Sequence, residues 1–485
     1  MSEIKNLQPQ AIWKNFYLLT QVPRPSGHLE KIQKFLLDWA KEKGVEASLD
    51  AAGNVLMRKP ASSGMEDCKI VTLQGHMDMV PQKAADSDHN FETDPIQTYI
   101  DGEWVKAKGT TLGADDGMAV ATIMAIMEDN TLKHGPLEGF ITADEESTMG
   151  GVNDMATDLL QGDILLNLDN ETEGEMMIGS AGGVNLTATT EYKEVEVEAG
   201  DAAVKVTIGG LLGGHSGLEI NEGRGNANKM MARLVQDAIA NFEACLACWK
   251  GGNMRNAIPR DAEVVLTLPN ENIAAFKEVV DEWREVFAGE YSAIEPAFTL
   301  TVEDTDLPAV IVPAEVQDNL VNALCGCHNG VMRFIPEVPS IVETSSNLAI
   351  VEIGGGHAMF KVLIRSSRDS MRDCCSETLE SIFSMAGMKV EFSGAYPAWQ
   401  PNPKSEIVEL MKNVYLELFG TENKVQVIHA GLECGVIGAK YPNMDMVSFG
   451  PTMRSPHTPN ERCHIPSVEK YWQFVLTTLE RTPKK

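Results

Sequence analysis

Lys69–Pro81 reads KIVTLQGHMDMVP. Ile70, Val71 and Leu73 form a short apolar run bounded by charge and glycine, which predicts a buried strand with His76 close behind it. In extended backbone, residues two apart point the same way, so Asp78 is expected beside His76. There it would take one imidazole N–H and turn the other ring nitrogen toward a metal. His-x-Asp is a short pattern, and a strand-end histidine bonded to a nearby loop is its plainer reading. EGFITA (138–143) and DILLNL (163–168) repeat the strand texture, and the stretch 118–128 between the first two strands is helix-like. Strands alternating with a helix predict an α/β fold with a mixed, largely parallel sheet. A further amphipathic helix is expected over 29–40, ending near Gly44.

Chemistry-bearing residues follow these strands. In GTTLGADDGMA, Gly109, Gly113 and Gly117 surround Asp115 and Asp116 just before a helix. Acids there are ordinarily caps worth ~1 kcal/mol, but glycine lets such a loop approach something closely, so one acid could bridge two cations while the other caps. In ITADEES, Glu145 and Glu146 are adjacent, and each raises the other's proton affinity unless a cation compensates. Such a pair suits one metal ligand and one proton carrier, against the alternative of an exposed acidic turn. Asp169 ends the third strand in LLNLDNETE. FGPTMRSPHTPNERCHIP places His457 after a C-terminal strand, and spacing alone does not choose between it and His464. Open α/β sheets place their ligands at this end of the strands.

After GSAGG (179–183) the pattern changes to period-two alternation, then to a long helical pattern over 226–249. This texture continues to about Ala395, where the Pro-rich YPAWQPNP (396–403) marks a return to the first. A helix over 405–419, the strands VQVIHA and MDMVSFG and a closing helix from Ser467 complete the chain. The expected organisation is a catalytic domain of 1–182 and 396–485, interrupted by an inserted α+β domain of 183–395. With 485 residues and 43% hydrophobic content, the chain has enough apolar residues for two cores. Forty Lys and Arg against 70 Asp and Glu leave a net charge of -30, which repels nucleic acid and anionic membrane surfaces. The opening MSEIKNLQPQ lacks a secretory apolar stretch, and the apolar run 117–127 is too short to span a bilayer. Nine cysteines, an odd number, fit reduced thiols and a cytoplasmic location. Cys245 and Cys248, in the helical pattern, and the Cys325, Cys327, His328 cluster read as buried thiols rather than a structural zinc site.

GHMDMVP, GADDGMA, ADEES, LNLD and SPHTPNE, in this order, resemble the dinuclear zinc aminopeptidase and carboxypeptidase family, and within it the aminoacyl-histidine dipeptidase branch. The likeness runs nearly end to end, through GGHSG in the insert to ERCHIPSVEKYW. It implies two zinc ions, replaceable by cobalt or manganese, bridged by Asp115, with His76 and Asp169 on one and Glu146 and His457 on the other. Glu145 becomes the general base and Asp78 the partner of His76. His215 is implied as an oxyanion contact, often from a partner subunit, so a homodimer is expected with the insert as lid and dimerisation domain. Asn256 and Arg368 are nominated for the substrate's carboxylate, and Glu433 for its free amine. Many relatives outside the branch carry lysine after the paired acids, where this chain has Gly117. The expected activity is metal-dependent hydrolysis of dipeptides, Xaa-His dipeptides included, with small peptides as the substrates bound. An N-acyl-amino-acid deacylase and a non-catalytic binding relative are the competing readings.

Overall fold

The computed structural model describes residues 3–336, 338–402 and 404–485. Pro403, the last residue of the stretch expected to mark the return from the insert, lies outside them. The chain forms two compact units: Met1–Ser180 with Trp399–Val427 and Leu432–Lys485, and Ala181–Ala398 with Ile428–Gly431. Sequence texture puts all of 396–485 in the first domain. Ile428–Gly431 instead join the second unit, where the Ala181 amide donates to the carbonyls of Ile428 (3.0 Å) and Ala430 (3.1 Å) and His429 meets the Ser345 hydroxyl at 2.7 Å.

The described residues of the first unit build an eight-stranded sheet in the order Glu46–Leu49, Val55–Lys59, Leu137–Thr142, Val71–His76, Ile164–Asn167, Asp445–Ser448, Glu175–Ser180, Lys424–Ile428. The four middle strands, from Leu137–Thr142 to Asp445–Ser448, are parallel, and antiparallel pairs flank them. Every residue of Leu137–Thr142, Val71–His76 and Ile164–Asn167 is buried, which is why these segments read as unbroken apolar runs rather than alternations. The helix Ala114–Glu128 packs against Val71–His76 and is buried from Ala114 to Met127. Its apolar character on all sides is that of a helix sunk in a core. Among the described residues no helix is long and apolar enough to cross a membrane. The helix Glu30–Lys43 ends at Gly44, left-handed at φ 70°, as its sequence predicts.

The second unit is an antiparallel sheet in the order Thr299–Thr305, Asp201–Gly209, Ala262–Pro269, Cys245–Gly251, Val338–Gly354, His357–Ser366, Gly182–Glu191, Lys389–Tyr396, packed with helices such as Ala227–Phe242 and Asp369–Met385. One expectation fails here. The helical pattern of 226–249 stops at Phe242, followed by Glu243 at φ 55°, and Cys245–Gly251 is a strand between Ala262–Pro269 and Val338–Gly354. A register shift between Leu246 and Cys248 adds a residue to the alternation, so Leu246 and Trp249, three apart, are both buried. The bulge thereby imitates a helical period. All nine cysteines are free.

Candidate metal centre

Each of the four parallel strands of the first unit leads to one of the proposed side chains. His76 is the last residue of Val71–His76, Glu145 and Glu146 open the short helix after Leu137–Thr142, Asp169 follows Ile164–Asn167, and His457 stands in the loop beyond Asp445–Ser448. Parallel neighbours end on the same edge, so residues distant in sequence converge there. Asp115 joins them from the start of the buried helix. Its Oδ1 lies 3.1 Å from His76 Nε2 and its Oδ2 3.1 Å from His457 Nε2. His457 Nε2 is 3.0 Å from Glu146 Oε2, while His76 Nε2 is 3.7 Å from Asp169 Oδ1 and 4.0 Å from Glu145 Oε2. Ligand atoms fall into overlapping triples, His76 with Asp116 and Asp169, His76 with Glu145 and Glu146, and Asp115 with Glu146 and His457, each within 4.8 Å. His464, the alternative to His457, stacks near Trp104 at 4.8 Å and approaches Glu103 instead.

The electrostatics call for cations. Burial, then repulsion from Asp116, Asp115 and Glu145, pushes Asp169 well above the usual carboxylate range. Burial and the charges of Glu146, Glu433 and Asp115 do the same to Glu145. Burial and Asp115 raise Glu146, and they raise Glu171 to about 8. Asp115 alone among the candidate ligand carboxylates is held down, against its burial, by His457 and His76. His457 is raised to about 11 by hydrogen bonds to Asp115 and Glu146. A cluster that must otherwise take up protons gains most from divalent ions. Glu146 Oε1 is buried without a hydrogen-bond partner among the described residues. Imidazole nitrogens and carboxylate oxygens, with no cysteine in any triple, fit zinc, cobalt or manganese.

Asp78 is fully buried and bonds to three of the residues around the candidate centre. Its Oδ1 accepts from the Glu145 amide (3.0 Å) and lies 3.4 Å from His76 Nδ1, and its Oδ2 accepts from the Glu146 amide (3.2 Å) and the Ser26 hydroxyl (2.7 Å). Asp116 turns inward, accepting from the His76 amide at 3.2 Å and from the amide of Ala119. What the glycines of GADDG admit is a guanidinium: a Cβ at Gly113 or Gly117 would lie 2.6 or 2.5 Å from Arg24 Nη2, and Gly113 has φ 70°. Arg24 and Glu461, both buried, hold this loop and were not singled out by the sequence. Glu461 lies within the SPHTPNE motif, four residues beyond His457, but nothing in the spacing around Arg24 marks it.

Glu433 begins a helix, Glu433–Lys440, in a stretch that reads only as a small-residue segment. It is 1% exposed, its Oε2 accepts from Gln74 (2.6 Å) and Thr142 (2.7 Å), Oε1 has no partner among the described residues, and burial raises it to about 7. In the second unit, His215 Nδ1 accepts from the amides of Gly217 and Leu218, leaving Nε2 3.5 Å from Arg365 Nη2. Asn256 is exposed, and its carbonyl accepts from the Ser216 amide. Arg368 is paired with buried Glu343 at 3.3 Å, whereas Arg365, 6% exposed, has no carboxylate partner among the described residues and meets the Tyr396 hydroxyl at 2.8 Å. Arg365 is thus the arginine gathered with His215, three residues before the Arg368 that the resemblance nominates.

Residues 72–481 match the description "Peptidase family M20/M25/M40". The chain is 41% identical over 485 residues, the full length of both proteins, to the Cytosol non-specific dipeptidase of Escherichia coli (strain K12). Its structure resembles that of the Aminoacylhistidine Dipeptidase from Vibrio alginolyticus at a TM-score of 0.89 and 42% identity, covering 100% of this chain and 99% of the other. The aminopeptidase PepT from Bacillus cereus, at 15% identity and a TM-score of 0.56 over 98% of each chain, shares the fold.

Proposed function

The chain belongs to peptidase family M20/M25/M40, and from that premise we propose that it hydrolyses dipeptides, aminoacyl-histidine among them, at a pair of zinc ions. The observation that carries this reading is Asp115, whose two oxygens each face one histidine at 3.1 Å, with the buried acid Glu145 beside them. The Escherichia coli and Vibrio alginolyticus proteins, 41% and 42% identical over the full chain, bear dipeptidase names, and the first name is also the support for a cytosolic location. His76, Asp169 and Asp115 would hold one ion, and Glu146, His457 and Asp115 the other. When bound, such a pair supplies Lewis acidity and makes water a nucleophile near neutral pH.

The chain's own groups do the rest. Glu145, with its proton affinity raised, takes a proton from the attacking water and returns it to the leaving amine. Asp78 holds the Glu145 and Glu146 amides and the His76 ring in register. The unpartnered Glu433 Oε1 receives the substrate's α-ammonium. His215, supplied to a partner subunit's site in the proposed homodimer, would donate to the oxyanion, and Arg365, rather than the already paired Arg368, would take the C-terminal carboxylate, with Asn256 as a further contact. The second unit acts as lid and dimerisation domain of a homodimer. Leu212, Leu218 and Met254, 50%, 52% and 57% exposed around the His215 loop, favour a partner there.

The test is a paired assay of zinc-loaded wild type and Glu145→Ala on free dipeptides, N-acetylated dipeptides, acyl-amino acids and tripeptides. The expected result is cleavage of free dipeptides by wild type, and a variant that keeps its zinc but loses about 10²- to 10⁴-fold in kcat. A wild-type preference for acylated substrates replaces this reading with a deacylase, and no cleavage at all leaves a binding protein.

A further inference from the structure

Asp115 and Asp116 stand at the start of a helix, yet their backbone angles (φ -80°, ψ 107° and φ -111°, ψ 36°) are not helical. Helical hydrogen bonding therefore does not place the Asp115 carboxylate. A single side chain does: Glu461 Oε2 accepts from the amides of Leu112 (2.7 Å) and Gly113 (3.0 Å), and its Oε1 from those of Ala114 (2.7 Å) and Asp115 (3.3 Å). Glu461 belongs to the loop of His457, where its own amide donates to the Thr458 carbonyl at 3.0 Å. From the other side Arg24 donates to the carbonyls of Gly113, Met77 (3.0 Å) and Asp78 (3.0 Å). Two buried side chains of opposite charge thus join the strand end bearing His76, the loop bearing Asp115 and the loop bearing His457.

Burying ions costs several kcal/mol each, and apolar side chains of similar volume commonly stabilise a core as well. What a carboxylate adds is direction, since four successive amides can converge only on a group with several acceptor sites. Resting on the metallopeptidase reading above, we infer that Glu461 is a positioning residue. With Arg24 behind the loop, it sets the spacing of Asp115 from His457 and so the affinity for the ion shared by Asp115, Glu146 and His457. The role is exerted through the ligands, and Glu461 itself touches no metal.

In Glu461→Gln, the amide nitrogen faces two of the four backbone N–H groups, donor against donor, so the loop must shift. Metal-free wild type, Glu461→Gln and Glu461→Asp are titrated with zinc against a chromophoric chelator, and their thermal unfolding is followed without metal. Visible absorption of the cobalt-loaded proteins reports ligand geometry. The expected result is a 10- to 100-fold weakening of at least one of the two zinc-binding steps in Glu461→Gln, with an altered cobalt spectrum and partial recovery in Glu461→Asp. A variant that melts earlier without metal but binds both ions within twofold of wild type has lost only a structural contact, and this overturns the inference. If Glu461→Gln does not fold, unchanged zinc affinity in Glu461→Asp overturns it equally. Wild type that binds no zinc removes the metal-centre reading itself.

Discussion

Replacing Asp78 with asparagine isolates the work of one buried carboxylate without changing its volume. The amide has one acceptor oxygen in place of two. Kept at the Oδ1 position, that oxygen still serves the Glu145 amide, and His76 Nδ1 retains the Asp78 backbone carbonyl at 3.2 Å. The ring orientation therefore survives. The new NH₂ occupies the Oδ2 position, where the Ser26 hydroxyl can turn to accept but the Glu146 N–H cannot. One buried donor left unsatisfied costs about 1–3 kcal/mol, and at ~1.4 kcal/mol per decade this is roughly 5- to 150-fold. Observed losses on changing such outer partners, about 10- to 100-fold, fall in the same window. The assay is zinc affinity by chelator competition, with kcat measured at saturating zinc. Ser26→Ala, which removes one hydroxyl donor and opposes none, should lose less than about tenfold on the same scale. Zinc binding by Asp78→Asn within twofold of wild type would refute the reasoning, because the Glu146 amide would then not depend on the carboxylate.

Gly75→Ala puts a methyl 2.5 Å from Ala119 Cβ and against the Asp116 carboxylate inside a buried strand. Overpacking of about 1–3 kcal/mol should lower the melting temperature and loosen zinc, and unchanged melting would show that the helix can yield. Glu433→Gln should cut kcat/KM for free dipeptides by roughly 10- to 100-fold, the worth of a buried charge-assisted hydrogen bond, while sparing N-acetylated substrates. An equal loss on both classes would remove the amine from its role. His429, lowered to about 3 by burial and then by Arg365 and His215, stays neutral in the native state where the unfolded chain binds a proton below pH ~6.5. Stability is therefore present above that pH and is lost as pH falls toward 3, by about 2 kcal/mol between pH 7 and 5. Thermal unfolding at both pH values should show a smaller acid-side loss in His429→Gln than in wild type, and parallel losses would place the titration elsewhere.

The α/β class of the first unit and the neighbourhood of its site were legible because both are written locally. A buried parallel strand is a short apolar run, and the group that matters lies just past its end. Thus KIVTLQ, EGFITA and DILLNL pointed to the region of His76, Glu145, Glu146 and Asp169 before any contact was known. Local periodicity failed where a bulge shifted it, making a helix of Cys245–Gly251, and it was silent on the helix Glu433–Lys440. Spacing left His457 and His464 open and the resemblance implied His457, which the fold sets against Asp115; only the tertiary structure paired Arg368 with Glu343 while leaving Arg365 beside His215, and brought Arg24 and Glu461 to the same loop. Those are contacts between segments far apart in the chain. Their energy comes from burial and from hydrogen bonds to whatever backbone the fold delivers, so neither residue of such a pair carries a periodic mark of its partner.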